Sequence, residues 1–172
     1  INATSIDTCD ACPVGSYAST EGAHECLPCP PGSYCASTGT EMYTKCQPGR
    51  YTNGSSQTEC APCPVGRYQE SNGSVVCSGC PAGRYLNDIN ATSIDTCEEC
   101  PKGFYAPTDG AHECLPCPPG SYCASTGSKQ YDECAAGSFT NSSSQSKCVL
   151  CPVGRYQESK GSVVCSGCPA GR

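Results

Sequence analysis

CPVGRYQESNGSVVCSGC, residues 63–80, spells out the repeating unit of the chain most fully. It runs Cys, Pro, any residue, Gly, any residue, Tyr, a short polar turn, then Cys-x-x-Cys, and the final cysteine opens the next copy. Opening cysteines stand at Cys12, Cys29, Cys46, Cys63 and Cys80, seventeen residues apart. After a twenty-residue step they resume at Cys100, Cys117, Cys134, Cys151 and Cys168. A fixed short period marks an array in which each copy is one small structural module.

A longer period of 88 residues contains the short one: INATSIDTC at 1–9 recurs letter for letter at 89–97. Of the 84 positions that align between the copies 21 differ, and none of these is a cysteine. The chain therefore divides into a first long repeat, 1–88, and a second, 89–172, of five modules each, the second truncated at its end. It begins at Ile1 without Met or a signal peptide, and Arg172 falls inside a module. A segment of a longer array is the expectation.

Composition limits what such a chain is. Its 172 residues include 20 Cys, 19 Gly and 15 Pro, with no Trp and only two Phe. A chain so poor in large apolar side chains cannot close one sizeable core and needs covalent staples. Disulfides at this density persist where the surroundings are oxidising, so an extracellular or cell-surface location is expected. The formal charge is −6, and the ten Lys and Arg are scattered. Nucleic-acid binding needs clustered cations and is not expected. No apolar stretch approaches the ~20 residues of a membrane span, so direct membrane insertion of this segment is not expected either.

Each module repeats the same local chemistry. A Gly stands three residues after every opening cysteine, as where the backbone takes a positive φ or passes close to another strand. An aromatic stands five after it, at Tyr17, Tyr34, Tyr51, Tyr68, Tyr85, Tyr105, Tyr122, Phe139 and Tyr156. Each ring is expected to cover the nearest disulfide and supply the small core of its module. Turn signals such as Asn72-Gly73 and Asp109-Gly110 predict short hairpins. Recurrent Pro, Gly, Ser and Thr leave no apolar helical face. The expected fold is small, disulfide-rich, β-hairpin and irregular, with no large core and little or no helix. Modules that contact chiefly their neighbours would build an elongated rod.

Two disulfide frameworks are open. The cysteine expected at position 43 is Tyr43, while an extra one appears at Cys35; Tyr131 and Cys123 repeat the exchange. If each opening cysteine bonds the first cysteine of the next Cys-x-x-Cys, Cys35 replaces the missing partner of Cys29. The pairs are then Cys12–Cys26, Cys29–Cys35, Cys46–Cys60, Cys63–Cys77 and Cys80–Cys97. Shifted by 88 they become Cys100–Cys114, Cys117–Cys123, Cys134–Cys148 and Cys151–Cys165. Cys9 and Cys168 remain for bonds to neighbouring copies. A crossed framework (Cys9–Cys26, Cys12–Cys29, Cys35–Cys46, Cys60–Cys77, Cys63–Cys80) leaves none over. The first is preferred because it explains the compensated pair.

Other chemistries are weaker readings. Cys-x-x-Cys, thirteen residues, Cys-x-x-Cys has a zinc-ribbon spacing. Here, however, the array never breaks into four-ligand sets. A redox Cys-x-x-Cys needs a helix N-terminus to hold its thiolate, and no helix follows any of them. His24 and His112 are one site in two copies, GAHEC, best read as surface residues; Glu98 and Glu99 meet no nucleophile. An enzyme is not expected, nor a cofactor or a metal. Five Asn-x-Ser/Thr sequons, at Asn2, Asn53, Asn72, Asn90 and Asn141, fall in turns or at module joints. N-linked glycans are expected there. Asn72 is replaced by Lys160 in the second copy, so that position is not essential to the fold.

CPVGRY at 63–68 and CPAGRY at 80–85, each leading to Cys-x-x-Cys, resemble the ephrin-receptor-like cysteine-rich repeat, which overlaps EGF-like and TNF-receptor-like modules. The pattern covers nearly the whole chain, although CAAGSF at 134–139 lacks its Pro and Cys35 and Cys123 are atypical. The resemblance implies an extracellular, disulfide-bonded rod of small modules. Such repeats occur in receptor ectodomains, in surface antigens of ciliates and other protists, and in extracellular fibres. Near-identical copies suit self-association, because equivalent surfaces recur at fixed spacing. The expected function is structural, in a glycosylated fibre, flagellar hair (mastigoneme) or cell-surface coat. A receptor or adhesion ectodomain that binds a protein ligand is the alternative.

Overall fold

The structure is a computed structural model that describes residues 10–171. Its described strands are two residues long, and the only helical element among the described residues is a 3-10 turn over Ile94–Thr96. The chain separates into two compact units, Ile1–Ser78 with Ile89–Ile94, and Gly79–Asp88 with Asp95–Arg172.

In the first unit the module opened by Cys12 shows the plan. Ser16 N–H donates to the Pro13 carbonyl at 3.1 Å, closing a tight turn whose third residue is Gly15. β1 (Ser16–Tyr17) then pairs antiparallel with β2 (Leu27–Pro28), Ser16 opposite Pro28. Cys29 N–H adds one more rung to the Gly15 carbonyl at 3.0 Å and begins the next module. The pairs Ser33↔Lys45 and Arg50↔Pro62 repeat this register. In the second unit the same plan gives Arg84↔Glu99, Phe104↔Pro116, Ser121↔Glu133, Ser138↔Leu150 and Arg155↔Gly167.

Asn72-Gly73 forms a turn, as its sequence predicts, though several residues separate it from the paired strands on either side. It lies in a loop held within the Cys63–Cys77 bridge. Two-residue strands carry too few rungs to need a matched tight turn, and the bridge supplies the closure.

Nine disulfides join Cys12–Cys26, Cys29–Cys35, Cys46–Cys60, Cys63–Cys77, Cys80–Cys97, Cys100–Cys114, Cys117–Cys123, Cys134–Cys148 and Cys151–Cys165. This is the within-module arrangement and not the crossed one. Closing a fifteen-residue loop contributes about 3 kcal/mol by the chain-entropy model. Several such loops hold a chain that buries little else.

The core is sulfur. Apart from Leu86, Ala91 and Ala106, every buried apolar residue among those described is a cysteine. The aromatic rings, expected to form the module cores, are half-buried, and Tyr156 is exposed. Strand alternation explains the correction. In six modules the residue six after the opening cysteine points inward, and Cys35, Thr52, Leu86, Ala106, Cys123 and Thr140 at that place are buried, whereas Ala18, Gln69 and Gln157 are half-buried. The ring one residue earlier therefore faces the other way.

Candidate functional site

The feature that recurs from module to module is the joint between them, and the backbone makes it. Gly15, Gly32 and Gly49 N–H groups donate to the inward residue of the following module, at the carbonyls of Cys35, Thr52 and Gln69 (2.9, 2.9 and 2.7 Å). In the second unit Gly83, Gly103, Gly120 and Gly137 do the same to Ala106, Cys123, Thr140 and Gln157. At two joints the bond is doubled: Gly32 N–H also reaches the buried Thr52 hydroxyl, and Gly120 N–H that of Thr140, at 3.0 and 2.8 Å.

The loop apex supplies the second contact. Gly39, Ser56, Gly73 and Asn90 N–H groups donate at 2.8 Å to the carbonyls of Cys12, Cys29, Cys46 and Cys63, each the opening cysteine of the preceding module. These apices sit at positive φ, including the non-glycine Ser56, Asn90 and Ser144 at 57°, 63° and 61°. The apex carbonyl then faces a module further back. A Cβ on Gly32, itself at φ +80°, would run into the Gly73 carbonyl two modules on, and Gly120 stands likewise against Gly161. Glycine is thus needed twice over, for its dihedral and for the close approach. Modules therefore contact their second neighbours as well as their first, which nearest-neighbour stacking alone did not anticipate.

With this repeated geometry established, four stretches of the chain, residues 2–46, 49–97, 94–134 and 137–172, match the family model described as tyrosine-protein kinase ephrin type A/B receptor-like. The chain belongs to that family. No curated protein is significantly similar to it. Ephrin-receptor-like repeats together with nine disulfides make this an extracellular type of repeat protein, and no helix among the described residues is long and apolar enough to cross a membrane.

On these ephrin-receptor-like modules the sequon asparagines Asn53, Asn72, Asn90 and Asn141 are exposed; Asn2 and Cys9 lie outside the described residues. Asn53 and Asn141 each follow a buried threonine, whereas Asn90 is itself a loop apex. Within a Cys-x-x-Cys the two sulfurs enter different bridges, Cys26 to Cys12 and Cys29 to Cys35, so the pair is not a chelate. Cys168 is an exposed free thiol. His24 and His112 are exposed, and His112 Nε2 lies 3.9 Å from the Glu113 carboxylate next to it in sequence.

Two features escaped the sequence reading. Tyr43, standing where Cys60 stands one module later, packs edge-on against Tyr17 at 5.2 Å between centroids and 79° between planes; Tyr105 and Tyr131 repeat it at 5.3 Å and 78°. The signal was the joint loss of a cysteine and gain of a ring. The other is an acidic rim on the twenty-residue module. There Tyr85 Oη donates to Glu98 Oε2 at 2.8 Å and Arg84 pairs with Glu99 at 3.0 Å. The hydrogen bond to Glu98, then its charge, then slight burial hold the Tyr85 phenol above its ordinary range.

Proposed function

We propose that the chain is part of an extracellular structural array, a glycosylated fibre, flagellar hair or surface coat, that associates with further copies of the same repeat. One observation carries this reading: the same backbone joint recurs at nearly every module, so equivalent exposed surfaces return at fixed intervals along the chain. Leu27 and Leu115, and Val65 and Val153, are exposed apolar residues of this kind, 88 positions apart. Repeated patches of one composition suit a partner that is itself repetitive. Cys168 is the counterpart of Cys80, which bonds Cys97, the counterpart of Cys9. A bond from Cys168 to the corresponding cysteine of a further copy belongs to this reading.

Electron microscopy of the native material tests it. Regular filaments or a lattice, with Cys168 recovered in a disulfide-linked peptide, are expected; monodisperse particles with a free Cys168 thiol would overturn it. The second reading, a receptor or adhesion ectodomain that binds a protein ligand, is favoured by the family itself. It predicts saturable binding of one protein by a monomeric chain, and substitutions at one patch only would abolish that binding.

A further inference from the structure

On the first compact unit Asn53 lines an open cleft of about 320 Å³ with Tyr51, Pro64, Arg67 and the Val75–Val76 pair. The valines are 47% and 58% exposed, an apolar β-branched pair that the protein leaves uncovered. Asn53 heads the sequon Asn53-Gly54-Ser55, and Tyr51 stands two residues before it. Alternate residues of an extended segment share a face, so with Thr52 buried between them the asparagine and the ring both line the cleft. The second copy repeats the set as Phe139, Asn141, Pro152, Arg155, Val163 and Val164, its valines 47% and 57% exposed. Tyr gives way to Phe, so the ring persists while the hydroxyl does not. A ring face and a valine pair are what the C–H face of a pyranose covers, and the attachment nitrogen is already at the site.

We propose that Asn53 and Asn141 carry N-glycans whose innermost sugar lies on this surface, against Tyr51 and Val75–Val76 in the first copy and Phe139 and Val163–Val164 in the second. The proposal rests on the extracellular part of the function argued above and not on filament assembly. The sugar comes from a lipid-linked pyrophosphoryl oligosaccharide. The asparagine Nδ2 loses a proton and bonds the anomeric carbon, and the lipid pyrophosphate leaves. Asn72 and Asn90 are preceded at the same distance by Glu70 and Asp88, which offer no ring, so they serve as internal controls.

The test uses the whole chain secreted from a eukaryotic host, with glycan occupancy read by peptide mass spectrometry and amide exchange read at residues 75–77 and 163–165. Trimming each glycan to its first N-acetylglucosamine should leave exchange there unchanged. Complete removal, or Asn53→Gln, should speed exchange at 75–77 by about threefold or more, whereas Asn72→Gln should not. Val75→Ser with Val76→Ser should keep Asn53 occupied yet abolish that dependence. Unoccupied Asn53 and Asn141, or occupied sites whose removal changes no exchange at the valines, would overturn the proposal. Filaments that fail to form beside a positive exchange result would sink the assembly reading alone.

Discussion

The modules opened by Cys29 and Cys46 have the same length and the same two-residue ladder, yet sulfur closes them in different places. In the second, Cys46 reaches fourteen residues forward to Cys60; in the first, Cys29 reaches six, to Cys35. Both opening cysteines are fully buried. The module thus requires a sulfur core at its opening residue, while the far end of the bridge is free to move. Where it moves, the inward place held by Thr52 becomes Cys35, and the vacated place takes Tyr43, which packs on the ring of Tyr17. A non-covalent contact between modules replaces a covalent closure within one.

Removing the long closure should have the largest effect. Cys46→Ala with Cys60→Ala should lower the stability of its module by about 3 kcal/mol, against about 2.4 kcal/mol for Cys29→Ala with Cys35→Ala, as loop length dictates. Denaturant titration followed by exchange at each module checks the order. Gly32→Ala and Gly49→Ala come next. Each should cost about 2–3 kcal/mol, because both need positive φ and both face an apex carbonyl, so the two modules should respond alike. A marked inequality would mean that the shorter bridge also changes the joint.

Tyr43→Ala should cost about 1 kcal/mol beyond its lost area, with no matching effect at Thr44. Cys35→Ala with Tyr43→Cys should restore the fourteen-residue closure, seen in non-reducing mapping as a peptide that links Cys29 to the thiol newly placed at position 43. The smallest effect belongs to the acidic rim. Tyr85 is held above the unfolded value of about 10. Its contribution is complete below that pH and lost as pH rises through the folded pKa. Glu98→Gln should lower the pH at which Tyr85 ionises, followed by ultraviolet absorbance.

How much of this was readable depends on whether a feature leaves a side-chain mark. The seventeen-residue period, the glycine three after each opening cysteine and the absence of helix are written in residue types that recur. The compensated pair of Cys35 and Tyr43 pointed to the in-module bridges, because only that arrangement needs both changes at once. The inward position was hidden, since Ala18, Cys35, Thr52, Gln69 and Leu86 share neither size nor polarity; what they share is a backbone carbonyl and amide. The second-neighbour contact was hidden for the same reason. An apex carbonyl of Ser56, Gly73 or Asn90 meets a glycine, and neither partner is a side chain. The sequons were legible as motifs, but the cleft beside Asn53 emerged only when Tyr51 and Val75–Val76, far apart in sequence, came to one surface.

The unequal bridges also set how far each module yields when the polypeptide is pulled from its ends. Tension follows the shortest covalent path. Across the module opened by Cys12 that path crosses the bridge, 5.6 Å between α-carbons, and then three residues from Cys26 to Cys29, about 16 Å in all. From Cys29 it crosses 6.2 Å to Cys35 and then has ten residues before Cys46, about 46 Å in all when straightened. The modules opened by Cys29 and Cys117 are therefore the slack in an otherwise inextensible tether, one give-point in every 88 residues.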